Sequence, residues 1–139
     1  MGPPEPVLHL SVPVRDLDAA RRFYAEAFGC ELGRVRDGWI DVWFFGMQLT
    51  LQQRPDEVRP PAEQGVRHFG VVLADLATFR KTVDRLNAAG VEWLSEPAEH
   101  ADDALSGKLG GKLADPSGNV IEVKHYPDLD AYRAADHGS

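Results

Sequence analysis

Two histidines stand at the same place in two copies of one pattern. Residues 8–17 read LHLSVPVRDL and residues 67–76 read RHFGVVLADL. His9 and His68 are 59 positions apart, as are Asp16 and Asp75, which follow them. A carboxylate enters through a second correspondence. GMQLTL at 46–51 matches GNVIEV at 118–123 with an offset of 72, so Thr50 and Glu122 are equivalent. Side chains alternate between the faces of a strand. With Leu8, Leu10 and Val12 turned toward a helix, His9 and Ser11 face away, and His68 is likewise opposed to Phe69, Val71 and Leu73. Glu122 lies opposite Ile121 and Val123, while Gln48, Thr50 and Gln52 lie opposite Leu49 and Leu51. By residue type, two readings stay open for His9, His68 and Glu122. They are hydrogen-bonded or solvated strand positions, or they are ligands. Two imidazoles and one carboxylate form a facial set that leaves positions open on a divalent metal. An uncompensated carboxylate on an inward sheet face is costly, and coordination is one arrangement that offsets the cost.

The elements that must position these groups follow the same repeat. Each His sits in an apolar run rich in Val and Leu, which reads as a strand. Asp16 and Asp75 are then placed to accept backbone N–H bonds at a helix start. Ala20, Phe23, Tyr24, Ala27 and Phe28 form one helical stripe, ended by Gly29; Leu76, Phe79, Val83 and Leu86 form the other, ended by Gly90. Three strand-like runs follow each helix, at 31–36, 39–45 and 48–53, then at 91–96, 108–114 and 119–126. The DPSG run at 115–118 is a turn, with Pro setting φ at its second position. The fold class is therefore α+β: two βαβββ modules at about 7–53 and 66–126, a Pro-rich linker at 54–65, and a tail from 127 to 139 with a short helix around 129–134.

Composition bounds the function. A chain of 139 residues, 43% hydrophobic and 27% charged, can bury a core without staples. The formal net charge of −7 speaks against binding a phosphate backbone, so no nucleic-acid partner is expected. No apolar run is long enough to span a bilayer, so no membrane association is expected. The opening residues lack the pattern of a secretory leader, and one cysteine cannot form an internal disulfide. The expected compartment is the cytoplasm.

Three segments carry a family resemblance: VLHLSVPVRDLDAARRFYAEAFGCELG, VRHFGVVLADL and DPSGNVIEVKHY. Together they resemble the vicinal oxygen chelate superfamily, which includes glyoxalase I, extradiol dioxygenases and the fosfomycin- and bleomycin-resistance proteins. The resemblance implies a cupped mixed sheet with helices on its outer face and one divalent metal: iron, manganese, nickel or zinc. The family ligand positions fall on His9, His68 and Glu122. A fourth falls on Thr50, whose neutral hydroxyl is a weak ligand, so water or substrate is expected there. A position where related enzymes carry Tyr falls on Lys112, implying a cation that holds an anionic substrate oxygen or moves a proton; an exposed strand lysine is the alternative. The implied function is an enzyme acting on a small molecule with vicinal oxygens, dioxygenase-like first. Glyoxalase-type lyase or isomerase, resistance transferase and metal-free drug binder are the alternatives. A homodimer is a further family expectation.

The remaining candidates are weaker. Trp43 and Phe45 either form an aromatic wall for a planar substrate, with Gln48 and Gln52 as polar contacts, or fill core. Cys30 reads as a buried structural thiol. His100, His125 and His137 lie outside the repeat and are expected at the surface. The GKLGG run at 107–111 precedes a strand rather than a helix, so it is not a phosphate loop.

Overall fold

A computed structural model describes residues 2–99 and 107–134; His100 and His137 lie outside the described residues. The chain forms two compact units, one of residues 1–65 with 115–119, the other of residues 66–114 with 120–139. Each unit carries one four-stranded mixed sheet, and the class is α+β.

In the first unit β1 (His9–Val14) pairs in parallel with β4 (Met47–Gln53), and β3 (Trp39–Phe44) and β2 (Glu31–Arg36) complete the order β1-β4-β3-β2. In the second, β5 (Phe69–Leu73) pairs in parallel with β8 (Val120–His125), followed by β7 (Leu109–Ala114) and β6 (Trp93–Glu99). The helices start where the aspartates place them. Asp16 accepts from the amides of Asp18 and Ala19 ahead of α1 (Leu17–Arg21), and Asp75 accepts from that of Thr78 ahead of α2 (Leu76–Ala88). Both helical segments close on glycines at φ 78°, Gly29 and Gly90. A last short helix, α3, spans Leu129–Ala134. No helix among the described residues is long and apolar enough to cross a membrane.

Several local expectations change. Leu8 is 73% exposed and precedes β1, whose buried apolar anchor is Val14. The stripe from Ala20 to Phe28 is not one α-helix: α1 runs into a π-helical stretch at Arg22–Ala27, where the Phe28 amide donates to Phe23 five residues back. The wider turn buries Tyr24, Ala27 and Phe28 together, with the Phe28 ring 5.3 Å from that of Phe44. Phe45 leaves the strand at φ 48° in the β3–β4 turn. His125 is buried rather than on the surface; its Nδ1 lies 2.8 Å from the Leu73 carbonyl and its ring packs beside Phe79. It falls on the helix-covered side because it alternates with Glu122 and Lys124. Cys30 is buried, as expected.

The 115–119 turn belongs to the first unit because its polar groups are satisfied there. Ser117 Oγ accepts from the Arg15 amide at 2.8 Å, and Asn119 donates to the Pro13 carbonyl at 2.9 Å. A side chain at Gly118 would bring Cβ within 2.2 Å of the Arg59 carbonyl. Asp115 accepts from the amides of Ser117 and Asn119 and from the Tyr24 hydroxyl, the last at 2.7 Å. Burial pushes the Asp115 carboxyl up, with these donors pulling against it, and burial together with Asp115 pushes the Tyr24 phenol well up. Hydrogen bonds to charged groups contribute about 1.5–3 kcal/mol. Tyr24→Phe should therefore lower unfolding free energy by about that much in urea titrations at neutral pH, and a loss under about 0.5 kcal/mol would remove this bond from the fold's supports.

Candidate functional site

Each sheet buries one face and leaves the other open, and the candidate residues lie on the open faces. In the first unit the register forms three rows: His9, Gln48, Trp43 and Glu31; Ser11, Thr50 and Asp41; Pro13, Gln52, Trp39 and Arg36. Leu49 and Leu51 alternate with these rows and are fully buried on the other side. His9 is exposed, and its Nδ1 lies 3.1 Å from the Gln48 carbonyl. With the Nδ1 proton donated there, Nε2 keeps its lone pair. Gln52 Nε2 donates to Ser11 Oγ at 2.5 Å. Trp43, 38% exposed, borders a cleft of about 470 Å³ with Phe28, Cys30, Glu31 and Phe45.

Asp41 organises the middle row, and sequence reasoning passed over it. Its carboxylate is 2% exposed and accepts from Thr50 Oγ1 at 2.6 Å, Arg34 Nε at 3.0 Å and Gln48 Nε2 at 3.3 Å. Burial pushes this carboxyl up, but the bonds from Thr50, Gln48 and Arg34 more than offset it and hold it below its ordinary value. A usable signal existed: Asp41 is the sole charge in the run 39–45 and alternates with both tryptophans. Thr50, equivalent to Glu122 in the repeat, spends its proton on Asp41.

In the second unit His68, Gly70, Val72, Glu122 and Lys124 line a cleft of about 240 Å³. His68 Nε2 lies 3.3 Å from Glu122 Oε1, and its Nδ1 lies 2.8 Å from the Val66 carbonyl. Lys112 is the cross-strand neighbour of Glu122, so it shares that face. Lys124 Nζ is 3.4 Å from Glu122 Oε1 and 3.3 Å from the Tyr126 hydroxyl. Burial opposes the Lys124 ammonium, yet Tyr126 and Glu122 hold its pKa above the ordinary value. Strand alternation places Lys124 on this face but gives it no role, because an ion pair two residues along a strand depends on rotamers.

The structure thus joins His68 to Glu122, with Lys112 alongside, and joins Gln48 to Thr50 through Asp41. His9 belongs to the other unit from His68 and Glu122. Among the described residues, no three His, Cys, Asp or Glu side chains gather as a metal-holding group. The chemistry of the pair nevertheless fits a cation. His68 has an acceptor on each ring nitrogen, the Val66 carbonyl and the Glu122 carboxylate. An imidazolium would satisfy both, and His68 with Glu122 would equally supply a nitrogen and an oxygen ligand to a divalent ion. The Nδ1–H to carbonyl bond, present at His9 as well, is the usual device that orients an imidazole ligand.

The family model of the Glyoxalase/Bleomycin resistance protein/Dioxygenase superfamily matches residues 7–123, and the chain belongs to that superfamily. It is 30% identical over 126 residues to a 1,2-dihydroxynaphthalene dioxygenase of Sphingobium xenophagum, covering 90% of this chain and 40% of that protein. The chain thus spans about two fifths of the length of the curated relatives it matches. A glyoxalase/bleomycin resistance protein/dioxygenase of Alicyclobacillus acidocaldarius is 31% identical, with TM-score 0.82 over 94% of this chain and 98% of that one. A lactoylglutathione lyase of Agrobacterium tumefaciens shares the fold at TM-score 0.64 and 22% identity, over 89% of this chain and 96% of that one.

The Asp41 network yields a test with a defined sign. A carboxyl held below its ordinary 3.8 stabilises the fold above that pH, and the contribution fades as pH falls through the lowered value. Thr50→Val removes the shortest donor and should cost about 1–3 kcal/mol at neutral pH. The gap to the natural chain should narrow once pH drops below 3.8. Urea titrations at neutral and strongly acid pH measure it; an equal gap at both would mean that Thr50 does not hold the charged form.

Proposed function

We infer that this chain is a metal-dependent enzyme acting on a small molecule with vicinal oxygens, with dioxygenase-type chemistry as the leading reading. The observation that carries it is His68, whose two ring nitrogens face a backbone carbonyl and the Glu122 carboxylate. Superfamily membership and the dioxygenase relative support the reaction class. In this reading His68 and Glu122 are ligands, and His9 is the remaining ligand expected from the repeat. A bound divalent ion would supply a Lewis acid with positions open to two substrate oxygens.

The chain's own residues do the rest. The Val66 carbonyl keeps the His68 Nδ1 proton, so Nε2 is presented as a donor atom. Asp41 holds the Gln48 amide and the Thr50 hydroxyl in fixed orientation; with that hydroxyl committed to Asp41, the fourth ligand position is left to water or substrate. Gln52 and Trp43 offer a polar contact and an aromatic wall. Lys112, beside Glu122, steadies an ionised substrate oxygen or moves a proton. The same reading makes the protein a cytoplasmic homodimer.

Elemental analysis and thermal unfolding test the metal assignment. A metal that binds only the folded state at about 100 times its Kd adds about 2.7 kcal/mol of stability. His68→Ala should lose most bound metal and most of the melting-temperature rise that added metal gives the natural chain. Stoichiometric metal retained by the variant would refute the ligand assignment. A natural chain that takes up no metal would instead leave a metal-free binding protein.

A further inference from the structure

The chain is strongly acidic, with a formal net charge of −7, yet the open face of the second sheet concentrates cations around one carboxylate. Lys112 lies across from Glu122 on β7, and Lys124 is the next residue along β8 on the same side. Glu122 Oε1 lies 3.3 Å from His68 Nε2 and 3.4 Å from Lys124 Nζ. Lys124 also reaches the Tyr126 hydroxyl and lies 5.9 Å from the centre of that ring. Lys112 is half-buried and forms no hydrogen bond or ion pair among the described residues. This face therefore sets the ammonium groups of Lys112 and Lys124 against the Glu122 carboxylate.

A divalent cation on Glu122 upsets this balance. It draws on the carboxylate that Lys124 pairs with, and it sets two like charges within a few ångströms of each other. Even at an effective dielectric constant of about 20, that repulsion is substantial. The Lys124 ammonium then needs a new counter-charge in the same cleft, and Lys112, on the same face, has none among the described residues. We propose that Lys124 is a hand-over cation: it pairs with Glu122 while the site is empty and with an anionic oxygen of the ligand once metal is bound. The ligand class is a small anion carrying an ionised oxygen next to a second oxygen, its charge met by Lys124 and Lys112. This rests on the metal reading above. Metal and anion then bind with positive and reciprocal coupling, each raising affinity for the other.

Manganese(II) and oxalate, a dianion with neighbouring oxygens, are suitable probes. Manganese affinity is measured without oxalate, and oxalate affinity is then measured by calorimetry on the manganese-loaded protein. Lys124→Met should bind manganese several-fold more tightly, because a nearby positive charge is gone, and should bind oxalate about tenfold or more weakly. Lys124→Arg should keep both affinities near those of the natural chain. Lys124→Gln, a polar substitute, should repeat the Met result if Met disturbs folding. If either affinity in the neutral variants stays within about twofold of the natural value, the hand-over is wrong while the metal assignment stands. If the natural chain binds no manganese or other divalent ion, the metal assignment fails and the hand-over falls with it.

Discussion

One helical segment covers one face of each four-stranded sheet, and this single constraint distributes every functional candidate. Burying Leu49, Leu51 and Val42 in the first unit, or Ile121, Val123 and Leu113 in the second, commits the alternate positions of the same strands to the open face. Each fully buried Leu or Ile contributes on the order of 1.5–3 kcal/mol. A one-residue slip would bury Glu122 and Lys124 and expose Ile121 and Val123, so the register is strongly held. Because the first strand of each module pairs in parallel with its last, His9 is brought beside Gln48, and Gly70 beside Glu122. Chemistry-bearing residues from both ends of each module thereby share one surface.

Three carboxylates show how differently the chain treats negative charge. Asp115 is buried for structure: it closes its own turn, receives the Tyr24 hydroxyl, and tolerates a raised pKa. Asp41 is no more exposed, yet three side-chain donors hold its pKa below the ordinary value. Glu122 is partly exposed and faced by two nitrogen donors, His68 and Lys124. Removing a charge from water is costly unless hydrogen bonds or counter-charges replace the solvent. Asp115 and Asp41 meet that demand with fixed partners. Glu122 meets it with an imidazole and an ammonium while keeping part of its surface exposed.

The superfamily match covers most of the chain, whereas the chain covers about two fifths of the curated dioxygenases. Fold alone does not settle chemistry, since one scaffold hosts several reactions. The open faces of this chain carry Thr50 bonded to Asp41, and Lys112 and Lys124 near Glu122. These are features of charge and hydrogen bonding.

The sequence by itself determined what depends on local periodicity. Strand alternation, the aspartate caps, the closing glycines and the correspondence of His9 with His68 follow from spacing of two or of about 3.6 residues, and they appear at the expected places. The face of Lys112 stayed open at that level, and its pairing with Glu122 comes only from the antiparallel register of β7 and β8. Tertiary structure decided the rest. The π-helical turn at Arg22–Ala27 arises where Tyr24 and Phe28 must both reach the core, which a regular helical stripe does not reveal. His125 is buried because its side of β8 is covered, although its residue type suggested the surface. Asp41 becomes the organiser of Thr50 and Gln48 only through antiparallel register between β3 and β4. The 115–119 turn joins the first unit through bonds spanning about a hundred residues of chain. Periodicity assigns a face to each side chain; which partner waits on that face is set by neighbours remote in sequence, because hydrogen bonds and ion pairs depend on distances that only the folded chain defines.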